Sequence, residues 1–207
     1  MASSLIHLAV AKKVGEKIKV KNTKDYYLGS IAPDISRQIG QSKTESHFII
    51  NTNQDIPNIK IFVKRYPLFK HNSFDLGYYT HLFVDKLWHE EFIPSITTNN
   101  TVKLLDGTSI NTSEEEILNL IYSDYTNLNI QIIEDYNIDL SLFYEEFSIP
   151  KTNIKEIPVK QLDMLINKMG IIIENSTESQ NYIIDKYTVN HFIETTAEKM
   201  IKELEKY

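Results

Sequence analysis

His81, Asp85 and His89 lie at successive spacings of four in one apolar stretch, and residues four apart share a helix face. Imidazole nitrogen and carboxylate oxygen are the donors that a divalent metal ion takes when no thiolate is offered, and they are also the groups of general acid–base catalysis. Within the run HLFVDKLW an ionised, unpaired Asp85 would cost several kcal/mol or be driven to protonate. A cation should therefore meet it, and a metal ion is one candidate. For an isolated His-x-x-x-Asp pair the commoner account is a structural network, in which the two bond to each other or to backbone. His89 lies about 80° round the helix from His81, but it adjoins Glu90 and Glu91, where the stretch turns polar.

The surroundings of the pair favour metal. His7 stands inside the apolar run of the first predicted helix, Asp34 in the punctuated turn GSIAPDI, and His47 in the Ser-His-Phe at 46–48. His7, Asp34, His47, His81 and Asp85 thus offer five N/O ligands from four segments. The chain has no cysteine, which excludes disulfides, thiolate zinc sites and cysteine nucleophiles, and is consistent with the cytoplasm. His191 falls just off the apolar stripe of the last helix and reads as a boundary residue; His71, between Lys70 and Asn72, reads as solvated. Tyr78, Tyr79, Phe83 and Trp88 recur at helical spacing, as core aromatics do. No phosphate-binding glycine loop, nucleophile elbow or dinucleotide fingerprint is present.

The elements that must position these side chains are mostly helical. Leu5, Ile6, Leu8, Ala9, Val10, Val14 and Ile18 predict a helix over 4–19, capped by Ser3 or Ser4. Gly29, Pro33 and Gly40 predict loop with short helical turns over 25–48. A helix over 56–66 precedes the central one at 74–96, whose apolar residues on nearly every side mark it as enclosed. Asp106-Gly107 predicts a small hairpin near 101–110. Ser113 and Glu116 form a capping box ahead of a long helical pattern. Shorter helices are expected over 141–147 and 159–169, the latter capped by Gly170, and a long amphipathic helix closes the chain.

Composition bounds the function classes. At 207 residues the chain suits one domain, 1–207. A net charge of −6 with lysines scattered among acids argues against duplex nucleic acid as a partner. No stretch approaches the ~18 apolar residues of a membrane span, and the apolar run near the amino terminus lacks the charge order of a secretory signal.

The order of these residues along the chain, together with the string L-G-S-I-A-P-D at 28–34, resembles the bacterial zinc-dependent phospholipase C family, best over residues 1 to 95. The resemblance implies an all-α, compact multi-helix fold and a metal site held by a histidine near the amino terminus, an aspartate, a histidine and a helical His-x-x-x-Asp pair: here His7, Asp34, His47, His81 and Asp85. Larger secreted members have three metals and use a processed terminal tryptophan with a further histidine and glutamate group. This sequence has no tryptophan before His7, and beyond Asp85 it offers only His89, and His191 with Glu194 at an interval that does not match. A short, non-secreted member holding one or two ions is therefore expected, with zinc as the metal and manganese, iron or cobalt as substitutes.

The expected activity is cleavage of a phosphate ester, phosphodiester or phospholipid-like, by a hydroxide formed when metal lowers the pKa of bound water toward about 7. Asp34 and Asp85 are the expected catalytic carboxylates, Asp85 as a ligand able to bridge two ions and Asp34 as a ligand able to orient or deprotonate water. Two alternatives stand beside this reading: an HD-type metal phosphohydrolase, whose adjacent His-Asp dipeptide the chain lacks, and a helical protein that binds metal or a partner without turnover.

Overall fold

The computed structural model of the protein describes residues 1–52, 54–144 and 147–207. It is mainly helical. Helix α1 spans Ser4–Gly15, begun by the Ser3 side chain accepting from the Ile6 amide, and its apolar residues from Leu5 to Val14 are buried on almost every side. It ends at Gly15, short of the predicted extent to 19, where Glu16 to Ile18 close the last turn and the chain becomes polar.

The largest departure from expectation comes next. Residues 25–31, read as loop, lie within helix α2 (Thr23–Ile31), capped by Asn22. Gly29 is inside it and breaks nothing. A Cβ at Gly29 would lie 2.1 Å from the Phe74 carbonyl oxygen, and one at Gly77 would lie 2.0 Å from that of Tyr26. These two glycines let α2 run backbone to backbone against the central helix α6 (Ser73–Leu87), so Gly29 serves contact where the sequence suggested punctuation. A 3-10 turn, Ala32–Asp34, follows with Pro33 in its first positions, and then two four-residue helices, α3 (Ile35–Gln38) and α4 (Lys43–Ser46).

Helix α5 (Ile59–Arg65) leads into α6, which is buried at every position from Phe74 to Asp85. The central element continues through a π-helical turn at Trp88–Phe92 into α7 (Ile93–Ile96). A three-stranded antiparallel sheet follows in the order β1 (Thr97–Thr98), β2 (Thr101–Lys103), β3 (Ser109–Asn111), with Val102 opposite both Thr97 and Ile110. Asp106-Gly107 forms the expected turn of its second hairpin, Gly107 adopting φ +88°.

Helix α8 (Glu114–Tyr136) starts at Ser113, whose hydroxyl accepts from the Glu116 amide. Of the helix expected over 141–147, Leu140–Phe143 is a 3-10 turn, and residues 145 and 146 lie outside the described residues. The helix expected to end at Gly170 instead runs as α9, Leu162–Glu174. A Cβ at Gly170 would meet nothing within 4 Å, and the isoleucines at 171–173 carry the helix past it. Helix α10 (Lys186–Leu204) lays Val189, Phe192, Ile193, Ala197, Met200 and Leu204 into the core and packs along α1. Among the described residues no helix is long and apolar enough to cross a membrane.

Candidate metal centre

Four segments meet at one buried point. Helix α1 delivers His7, the 3-10 turn after α2 delivers Asp34, the residue ending α4 delivers His47, and α6 delivers His81 and Asp85 one turn apart. All five are buried. His47 Nε2 lies 3.4 Å from Asp85 Oδ2 and 3.7 Å from Asp34 Oδ1; His81 Nε2 lies 3.6 Å from Asp85 Oδ2 and 4.0 Å from Asp34 Oδ1. His7 Nε2 lies 3.3 Å from Asp85 Oδ1, and its ring stacks on that of His81 at 3.9 Å.

The hydrogen bonds around the cluster fix where its lone pairs point. His81 Nδ1 is 2.9 Å from the Ser30 carbonyl oxygen, which can only accept, so Nδ1 carries the proton and Nε2 is bare. His47 Nδ1 is 2.8 Å from Ser46 Oγ, which also lies 3.2 Å from the Lys43 carbonyl and 2.9 Å from Ser36 Oγ. With the Ser46 proton on the Lys43 carbonyl, Nδ1 is the donor and His47 Nε2 is bare as well. These two Nε2 atoms stand 3.1 Å apart. Two unprotonated lone pairs at that distance repel unless a proton or a cation lies between them. Two nitrogens bound ~2.05 Å from one zinc ion at a tetrahedral angle would stand ~3.3 Å apart. Both ring nitrogens of His7 and Asp34 Oδ1 are also buried without a hydrogen-bond partner, although His7 Nε2 is within ion-pair range of Asp85. Orphaned donors of metal-ligating type converging on two carboxylates fit a bound divalent ion.

Electrostatics agree with the geometry. Burial pushes the Asp85 carboxyl up, but the neighbouring imidazoles of His47, His7 and His81 outweigh it and hold the group well below the usual carboxylate range. Asp34 is likewise lowered, burial being overcome by His47 and His81. Burial and the neighbouring His81 lower His7, keeping a neutral imidazole; burial opposes the charge of His47, but Asp34 and Asp85 raise it overall. The candidate ligand groups are His7, Asp34 and His81, and His47, His81 and Asp85, the potential ligating atoms of each lying within 4.8 Å of one another.

Local backbone aims His47. Phe48, the next residue, has φ +55°, a left-handed conformation that costs about 1–3 kcal/mol outside glycine. The turn is held by Tyr78 donating to the Ser46 carbonyl at 2.5 Å and by Phe48 packing edge-on against Phe62 and Tyr78. Asp85 Oδ1 additionally accepts from the Ala2 amide at 3.2 Å.

The other histidines stay outside. His89, carried out of line by the π-helical turn, is partly buried with Nε2 unpartnered, and burial pulls its pKa down to about 4. It belongs to neither ligand group. His191 is exposed and stacks on Tyr187, while Glu194 pairs with Lys13 at 3.1 Å, so the carboxyl-terminal helix adds no ligand here. His71 is exposed, as expected. Sequence reasoning did not find the supports of the cluster, the Ser30 carbonyl and the Ser46 hydroxyl, although both lie beside the motifs it singled out.

Asp34, alone of the five, lines a cavity of about 570 Å³ walled by α8, α9 and the residues ahead of α1. The centre therefore opens to a space large enough for a small ligand. Compared with known families, residues 5–207 match the sequence model described as zinc dependent phospholipase C. No curated protein and no solved structure matches the chain.

Proposed function

The chain belongs to the zinc-dependent phospholipase C family, and from that premise we propose that it is a zinc-dependent hydrolase of phosphate esters whose metal is held by His7, Asp34, His47, His81 and Asp85. The observation that carries this reading is the pair of Nε2 atoms on His47 and His81, 3.1 Å apart and ringed by two carboxylates held ionised. When bound, a zinc ion supplies Lewis acidity, polarising a phosphoryl oxygen and making an attacking water more acidic.

The chain's own residues do the rest. Around a bound ion His81 and His47 would present Nε2 as neutral imidazoles, with their Nδ1 atoms on the Ser30 carbonyl and the Ser46 hydroxyl. Asp85, reached by three histidines and the Ala2 amide, anchors the centre. Asp34 turns its buried, unpartnered Oδ1 toward His47 and His81 and also lines the cavity, which suits it to orient water and take its proton as the water attacks phosphorus.

The test is metal analysis of protein purified without chelators, beside hydrolysis of bis(p-nitrophenyl) phosphate and p-nitrophenyl phosphate. One or two zinc-like ions per chain and hydrolysis that chelation abolishes and zinc restores are expected. Hydrolysis unaffected by exhaustive chelation, or protein that takes up no metal, would overturn the reading.

A further inference from the structure

Beyond Asp34 the cavity wall carries polar groups for which the metal chemistry has no use. Arg37 follows Asp34 by one helical turn and is the only cationic side chain among the residues lining the cavity. It is exposed, and its Nη1 reaches the Tyr122 hydroxyl at 3.4 Å. Deeper in, Asn129 on α8 is only 5% exposed. Its Nδ2 donates to Ser176 Oγ at 3.3 Å, and Ser176 gives its own proton to the Ile172 carbonyl at 2.9 Å. The edge of the amide that faces Ser176 must therefore be the NH2, which fixes the orientation of the group. Asn129 Oδ1 is left buried, on a cavity-lining residue, with no donor. Thr126 and Asn175 add uncharged polar groups to the same lining.

An unpartnered buried acceptor beside a solvent-reachable cavity calls for an O–H or N–H from whatever enters. We propose that this wall is the subsite for the polar substituent of the ester, and that it selects a neutral polyhydroxylated group of the glycerol or inositol type over a quaternary ammonium. The inference rests on the phosphate-ester reading above and adds the class of substrate. A hydroxyl would satisfy Asn129 Oδ1, whereas a quaternary ammonium has no proton to give. Arg37 would pair with phosphate oxygens and repel a second cation. The rings of Tyr122 and Tyr125 could otherwise receive an ammonium, but the Tyr122 hydroxyl already engages the guanidinium, which places like charge at that spot.

Zinc-loaded full-length protein titrated by calorimetry with sn-glycerol 3-phosphate and with phosphocholine isolates the substituent, because both carry the same phosphate monoester. Glycerol 3-phosphate should bind about tenfold tighter. Asn129→Leu should weaken glycerol 3-phosphate about tenfold and phosphocholine by less than about threefold, and Arg37→Gln should bring the two ligands within about threefold of each other. Equal or tighter binding of phosphocholine to the wild type would overturn the proposal, as would Asn129→Leu weakening both ligands alike at an unchanged melting temperature. Should Asn129→Leu fail to fold, the exposed Arg37→Gln variant decides alone. Protein that discriminates the ligands as predicted but hydrolyses no phosphodiester would sustain the subsite and overturn the hydrolase reading.

Discussion

Asp85 is the residue on which the centre's charge balance turns, since three imidazoles and one backbone amide converge on its two oxygens. Asp85→Asn keeps the shape and removes the charge. Changes to groups that merely support metal ligands cost about 10–100-fold in affinity, so loss of this carboxylate should weaken zinc binding by more than about 100-fold while helical circular dichroism is retained. Unaltered zinc content in the variant would make Asp85 a structural residue. His89 gives a second test at this scale that is independent of the metal. Its folded pKa, near 4, lies below the roughly 6.5 of an unfolded chain, so the fold favours neutral imidazole. The stability tied to that preference is complete above pH ~6.5 and is lost as the pH falls toward ~4. His89→Gln should remove this part of the acid sensitivity, about 1–2 kcal/mol between pH 7 and pH 4.5 once solvent access is discounted. Urea titrations at both values check it, and equal acid losses in the two proteins would contradict it. The convergence of His81 and Asp85 with other polar side chains was legible in the sequence because a buried carboxylate in an apolar run needs a partner. Ser30 was not, since a backbone carbonyl that sets a tautomer leaves no residue type to read.

Two glycines at the α2–α6 contact show where sequence patterning misleads at the scale of elements. Gly29 within a run containing Pro33 and Gly40 reads as a breaker, because a single sequence cannot distinguish a glycine that ends a helix from one that admits a neighbour. The long elements were legible from periodicity alone, and the enclosed character of α6 was evident from its lack of a polar face. Identical substitutions should have opposite outcomes at different glycines. At Gly29 or Gly77 alanine places a methyl about 2 Å from backbone oxygen, which only separation of the helices can relieve. A loss of at least about 2 kcal/mol, or roughly 4–8 °C in melting temperature, is expected. Weakened zinc binding should accompany it, because the Ser30 carbonyl on α2 holds the His81 proton. At Gly170, mid-helix and facing open space, alanine should stabilise by about 0.5–1 kcal/mol. Differential scanning calorimetry of the three variants decides the matter; destabilisation of Gly170→Ala would mean that this glycine has a contact the geometry does not show.

For the whole molecule, an ion at this centre would tie together elements drawn from the first 85 residues, and α8 and α10 buttress them by packing on α1. The unfolded chain has no such preformed cluster, so metal binding should appear as folding stability. At free zinc about 100-fold above its dissociation constant the gain is roughly 2.7 kcal/mol, which for a chain of this size raises the melting temperature by about 5–11 °C. His7 and His191 separate the two ends of the molecule. His7 is buried with both ring nitrogens lacking hydrogen-bond partners, whereas His191 is exposed and lies on a helix whose Glu194 is already paired with Lys13. His7→Ala should therefore abolish most of the zinc-dependent rise in melting temperature and reduce phosphodiester hydrolysis by more than about tenfold, a change above roughly 1.4 kcal/mol. His191→Ala should leave the zinc-dependent rise intact and alter hydrolysis by less than about threefold, under roughly 0.7 kcal/mol. Melting curves with zinc and with excess chelator, recorded beside a common diesterase assay, measure both quantities in the same samples. If His191→Ala proved the more damaging, α10 would have to reach the centre in the working protein, and the five-ligand assignment would fall.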